Sequence, residues 1–164
     1  MYDRILVPTD GSSETERAVA HAAELAATHG ADLHAVYVVN SASFAGLPME
    51  TSWESVDGVL REEGETALSR AEDVAADHGV ATTTHLLEGS PSKRIVEFAE
   101  GEDCDLVVMA THGRGGIDRL LLGSVTEGVV RASSVPVLTV QVGDESDGAE
   151  GVGDESDGEQ VAVE

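Results

Sequence analysis

Short apolar runs alternate along this chain with longer stretches in which apolar residues return every three or four positions. The runs are Ile5-Leu6-Val7, Leu33 to Val39, Val80 to Leu87, Leu106 to Ala110 and Pro136 to Val142. They have strand length, and the first and fourth are apolar throughout, as strands covered on both faces are. The intervening stretches have helical period. The first puts Ala18, Val19, Ala22, Leu25 and Ala26 on one face, a stripe suited to packing on a sheet. The second starts at Ser52 and turns Val56, Val59, Leu60, Ala67, Ala71 and Val74 inward, with Gly64 weakening it by up to about 1 kcal/mol relative to Ala. The third opens at Ser90-Pro91 and buries Ile95, Val96, Phe98 and Ala99, and the fourth runs from Ser124 to near Ala132. Ser13 with Glu16, and Ser124 with Glu127, have the spacing of capping boxes. Gly30 and Gly79, each after a histidine, mark helix ends. Residues 40–51 have no period and read as a long loop, and the threonine-rich Val80 to Leu87 reads as a possible sheet edge.

Strict alternation of strand and helix implies right-handed crossovers and a mostly parallel, doubly wound sheet. In such sheets a ligand sits beyond the carboxyl ends of the strands, where the strand order reverses. Two loops become candidates. Pro8-Thr-Asp-Gly-Ser12 leaves the first strand, and Thr111 to Gly123, with Gly113, Gly115 and Gly116, leaves the fourth. Glycine lets backbone N–H groups turn into a concavity that no Cβ obstructs. A helix start behind such a loop adds unpaired N–H groups and the positive end of a dipole, a combination suited to phosphate. An ordinary flexible connection is the competing reading. If the first and fourth strands are neighbours, Asp10 faces the glycine loop. There it would hold a ribose hydroxyl or, through water, Mg²⁺; an Asx-turn before the first helix explains it equally.

Composition narrows the partners. Among 164 residues there are 32 acids against 9 bases, and Lys93 is the sole lysine. A net charge of −23 argues against nucleic acid or an anionic membrane as partner. It points to a protein adapted to concentrated salt, with an acidic tail on a mesophilic protein as the alternative. The tail is distinct: Val142-Gly-Asp-Glu-Ser-Asp-Gly148 recurs as Val152-Gly-Asp-Glu-Ser-Asp-Gly158. Residues 143–164 hold nine acids and no base, too little apolar content to fold, and are expected to be disordered. Without those nine acids the body, residues 1–142, keeps 23 acids against 9 bases, a net −14. Cys104 is the only cysteine, which excludes an internal disulfide or a thiolate metal cluster. The first twenty residues contain no signal-peptide pattern, and no apolar run is long enough to span a bilayer. A cytoplasmic protein is expected.

Two motifs carry a family resemblance. The first strand followed by Pro8-Thr9-Asp10-Gly11-Ser12 resembles the opening of universal stress proteins, and Ala110-x2-Gly113-x9-Gly123-Ser124 is similar to that family's ATP-binding signature, Gly-x2-Gly-x9-Gly-Ser/Thr. Ser133-Ser134-Val135-Pro136-Val137 resembles its usual lead into strand five. The resemblance spans residues 1 to about 142 and leaves the tail outside. It implies a five-stranded parallel sheet in the order 3-2-1-4-5 with helices on both faces, a homodimer paired through the fifth strand (Val137–Val142), and ATP in the crevice. By the same carry-over Pro8, Thr9 and Asp10 would flank adenosine, Val38 would offer backbone contacts to adenine, and Met109 and Ala110 would line the site. Gly113 and Arg114 would wrap the phosphates. Gly123, Ser124, Val125 and Thr126 would cap them, Ser124 and Thr126 with hydroxyls as well as amides. One departure stands out: the first signature glycine is Ala110, whose methyl group is tolerated if φ is negative there.

Other nucleotide signatures are missing. There is no Gly-x4-Gly-Lys-Ser/Thr, no Gly-x-Gly-x-x-Gly after the first strand, and no Ser-Gly-Gly-x-Asp-Ser loop. The six histidines have no metal-ligand spacing, and His112 reads as a loop residue that could line the site. A Ser124–His112 nucleophile pair is disfavoured, since a capping serine spends its oxygen on amides and no nucleophile elbow is present. Arg114 and Arg119 are the only bases near the loop. The phosphates would therefore be held by backbone and Mg²⁺, which suits binding better than fast phosphoryl transfer. The expected function is an ATP-binding (adenine-nucleotide-binding) regulatory dimer that acts on an unknown protein partner in the stress response, with weak ATPase activity at most. The alternatives are a family member that works only through protein contacts, and a slow Mg-dependent ATPase with Asp10 as the metal-holding acid.

Overall fold

A computed structural model describes residues 1–40, 42, 53–112 and 122–141. Five strands, β1 (Arg4–Pro8), β2 (Asp32–Val39), β3 (Thr82–Glu88), β4 (Leu106–Ala110) and β5 (Val137–Val140), alternate with four helices. These are α1 (Ser13–His29), α2 (Trp53–Asp77), α3 (Pro91–Gly101) and α4 (Ser124–Ala132). Every strand pair is parallel and the order is β3-β2-β1-β4-β5, as the resemblance implied. The order reverses between β1 and β4, so the loops leaving those two strands flank one crevice.

The sheet divides the core in two. Ile5, Val7, Leu106, Val108 and Ala110 point towards α1 and α2, and join Ala18, Val19, Ala22, Ala67 and Ala71. Leu6, Val107 and Met109 point the other way and join Ile95, Ala99 and Val129 of α3 and α4. Alternate residues of β1 and β4 thus serve different cores, which is why both strands are apolar without interruption. Gly64 permits close packing as well as weakening α2. A Cβ there would lie 2.5 Å from Leu86 Cδ1 and 2.7 Å from Tyr37 Cδ1, so the helix rests directly on β2 and β3. Below the sheet, the Asp105 carboxylate accepts the N–H groups of Asp3 and Arg4 at 2.7 and 2.8 Å, tying the chain start to β4.

Several boundaries differ from expectation, and β3 runs from Thr82 to Glu88 where Val80 to Leu87 was expected. The cap of α1 is Ser12 rather than Ser13, its hydroxyl accepting from Thr15 N–H at 3.3 Å. The cap of α4 is Gly123, and Ser124 is the first helical residue. β5 ends at Val140, and Gln141 is outside the strand. The proposed Ser52 cap, most of the 40–51 loop, Val142 and the acidic tail lie outside the described residues. No described helix is long and apolar enough to cross a membrane.

Candidate functional site

A cavity of about 310 Å³ opens at the carboxyl ends of β1 and β4, within the size range of small-molecule sites. Ten of the residues expected to bind nucleotide line it: Pro8, Thr9, Asp10, Val38, Met109, Ala110, Gly123, Ser124, Val125 and Thr126. Gly113 and Arg114 lie outside the described residues. Thr15, Val36, Tyr37, Pro91, Ile95 and His112 also line the cavity. Helical period assigns Ile95 to the core and Pro91 to a helix start, and both are so placed. Period carries no sign that α3 begins at the crevice, where one face of the helix serves core and cavity in turn.

The apolar part of the wall comes from Pro8, Val36, Val38, Pro91, Ile95 and Met109, a surface suited to a flat aromatic group. The polar part is α4. Gly123 supplies no capping side chain, and the Glu127 N–H already closes on the Gly123 carbonyl at 2.9 Å. The first-turn amides of Ser124, Val125 and Thr126, residues that line the cavity, therefore have no cap from the side chain of the cap residue, at the positive end of the helix. That overturns the capping box read at Ser124, because glycine at the cap position has no oxygen to give. The Ser124 hydroxyl consequently has no capping duty, and this side chain is exposed.

Thr126 behaves differently from expectation. It is buried, and its hydroxyl donates to the Ala110 carbonyl at 2.9 Å. The chain leaves the sheet at Ala110, so that carbonyl needs a partner from elsewhere. The one proton of the Thr126 hydroxyl is therefore spent inside the protein, and the group has none left to donate to a phosphate. Ala110 itself belongs to β4, pairs with Val140 and has negative φ, the only described non-glycine residue with positive φ being Asp103. Alanine is thus unstrained where the signature has glycine.

Across the cavity Asp10 forms the Asx-turn. Its Oδ1 accepts Ser12 N–H at 2.9 Å and the Thr15 hydroxyl at 3.1 Å. The Thr9 hydroxyl lies 3.0 Å from that of Thr15 and accepts Gly11 N–H at 3.1 Å. Thr9 N–H donates to the Val36 carbonyl at 2.9 Å, tying the β1 turn to β2. This network fixes the turn and leaves Asp10 as the one carboxylate among the described lining residues, with no lysine or arginine among them. Nδ1 of His112 lies 3.2 Å from the Thr111 hydroxyl. No three described His, Cys, Asp or Glu side chains form a group that could hold a metal ion.

Residues 1–141 match the sequence model of the Universal stress protein family. A universal stress protein of Methanocaldococcus jannaschii is 45% identical over 141 residues, 86% of this chain and 83% of the relative. The solved structure of a second protein of that organism, MJ0577, superposes with a TM-score of 0.77 at 29% identity, covering 88% of this chain and 99% of its own. A universal stress protein crystallised in complex with cAMP superposes with a TM-score of 0.66 at 30% identity, over 85% of this chain and 97% of that one.

Proposed function

The chain belongs to the universal stress protein family, and from that premise we propose that its crevice binds an adenine nucleotide, ATP or a close relative, as a regulatory ligand. The observation that carries the reading is the meeting of an apolar wall and an uncapped helix start in one cavity. The base would lie against Val38, Met109 and Ile95, with Pro8, Thr9 and Asp10 beside the nucleoside. The first-turn amides of α4 would take a phosphate, and Gly113 and Arg114 would complete the phosphate cradle. Mg²⁺ would be held by the phosphates and, through water, by Asp10. A related protein's complex with cAMP supports the choice of adenine.

No described basic side chain lines the cavity, and the reading places one cation of this chain, Arg114, at the phosphates, with backbone amides and Mg²⁺ doing the rest, an arrangement that suits binding better than fast phosphoryl transfer. We assign it to binding, with hydrolysis slow at most. The dimer pairs through β5, the nucleotide tunes affinity for a protein partner in the cytoplasm, and the acidic residues 143–164 form a tail that suits concentrated salt. Equilibrium titration with ATP and Mg²⁺ at high salt tests the reading, and absence of binding at millimolar nucleotide would end it.

One observation favours a second reading. Ala110 lines the cavity where the signature has glycine, and its methyl group would exclude the nucleotide if it met the ribose. Ala110→Gly separates the two: a large gain in affinity supports a chain that works through protein contacts alone, and little change supports nucleotide binding. Turnover of about one per second or faster, lost in Asp10→Asn, would instead identify an ATPase.

A further inference from the structure

On the α3 face of the sheet, away from the crevice, two histidines meet that the nucleotide reading does not use. His34 Nδ1 on β2 lies 3.0 Å from His85 Nε2 on β3. The ring centroids are 5.3 Å apart and the ring planes differ by 14°. That centroid separation matches the nitrogen–nitrogen distance plus a ring radius at each end. The rings therefore meet in line, nitrogen to nitrogen, and do not overlap face to face. The ladder places His34 opposite Thr83 and His85 opposite Val36, so the two rings project from one face, two residues out of register. Phe98 of α3 closes over them, its centroid 4.6 Å from His85 and 6.3 Å from His34. Two nitrogens aimed at each other at hydrogen-bond distance leave no room for a metal ion between them.

A neutral imidazole has one N–H and one lone pair, so in the neutral pair one bridging nitrogen donates and the other accepts. The charged neighbours are Arg4 on β1, which disfavours a positive charge on His34, and Asp32 on β2 and Glu102 beyond α3, which favour one. Glu102 acts on His85 in the same sense. Burial outweighs them and holds both rings below the ordinary imidazole value, and in His34 the neighbouring His85 adds to it.

We propose that His34 and His85 form a one-proton site, which accepts a single proton with its bridge intact and is broken, with α3 unseated, by a second. The first proton adds to the outward nitrogen of the donor ring. The bridge then runs from an imidazolium to a neutral imidazole, a stronger charge-assisted bond. The second proton has only the bridging nitrogen of the acceptor ring, whose lone pair already holds the bond. Two N–H groups then oppose each other and two cations abut beneath Phe98. Phe98 lies on the α3 face that also carries Pro91 and Ile95, and those two line the crevice. Acid that doubly charges the pair thus loosens the crevice wall. The effect on ligand rests on the nucleotide reading above, whereas the proton site does not.

Ring ¹⁵N and ¹H shifts of the full chain, followed by NMR from about pH 8 to about pH 4, test the site directly. The expected result is that His34 and His85 move together in two steps, with proton affinities differing tenfold or more. In His85→Gln, which keeps a hydrogen-bonding side chain, His34 titrates in one step, and the melting temperature falls less between pH 7 and pH 5 than in the unmodified chain. Two independent steps with coincident midpoints near the ordinary value would overturn the proposal. So would an equal acid loss of melting temperature in the two proteins. Adenine nucleotide titrated at the same pH values should lose affinity with the second step. If no nucleotide binds at any pH, the crevice reading fails while the NMR result still decides the proton site.

Discussion

Thr126 and Ser124 stand two residues apart in one motif and do different work. The Thr126 hydroxyl satisfies the carbonyl that β4 leaves open at Ala110, whereas Ser124 is exposed at the crevice mouth. Thr126→Val keeps the shape of the side chain and leaves a buried carbonyl unpaired. It should cost about 1–3 kcal/mol in chemical denaturation, and Thr126→Ser should recover most of the loss. Motif spacing ranks both residues as hydroxyl donors because it records positions along the chain and carries no information on which partner each side chain finds. Asp10 makes the same point. Its place before the first helix allows both the Asx-turn and a ligand contact, and the turn accounts for Oδ1.

Helix ends and helix contacts belong to the next scale. Ser12 caps α1, so Ser12→Ala should destabilise by about 1 kcal/mol, while Ser13→Ala should be near neutral in the same urea titration. The pattern Ser13-x2-Glu16 suggested otherwise because two adjacent serines give two plausible frames, and only the path of the chain out of β1 selects one. Gly128 of α4 offers a sharper test. Alanine has the higher helix propensity by about 1 kcal/mol, yet a Cβ at 128 would come within 2.8 Å of Ser92 Cβ on α3. Gly128→Ala should therefore destabilise by about 1–3 kcal/mol, as overpacking does, and push apart the two helices whose starts border the crevice. Stability gained on that substitution would show that α3 and α4 leave room for a methyl group between them.

Charge acts on the whole molecule. The two N–H groups that Asp105 accepts hold its carboxyl below the usual value of 3.8, so the folded state favours its ionised form. The resulting stability is complete above that value and is lost as pH falls through the lower folded one. His34 and His85 are lowered from 6.5, chiefly by burial. A folded state that prefers neutral rings is most stable above 6.5 and loses stability as pH falls below it towards the folded values. Melting temperature should therefore decline in two windows on acidification, the upper from the histidine pair and the lower from Asp105. Asp105→Asn should flatten the lower one alone. A net charge of −23 adds self-repulsion that salt screens, so the melting temperature should rise with NaCl concentration, and a flat response would count against adaptation to concentrated salt.

Element order, the parallel sheet and the two loops that could hold a ligand were legible in the chain, because hydrophobic period and glycine placement are local signals and the handedness of crossovers turns them into a doubly wound sheet. The order that sets the first strand beside the fourth came from the family resemblance alone. Pairings between distant segments left no such signal. The cap on Gly123, the bond from Thr126 to Ala110, the meeting of His34 with His85 and the use of α3 as a crevice wall each depend on which side chains face each other after packing. Those outcomes are set by register and by helix docking against the sheet, quantities that exist only once the backbone has closed on itself.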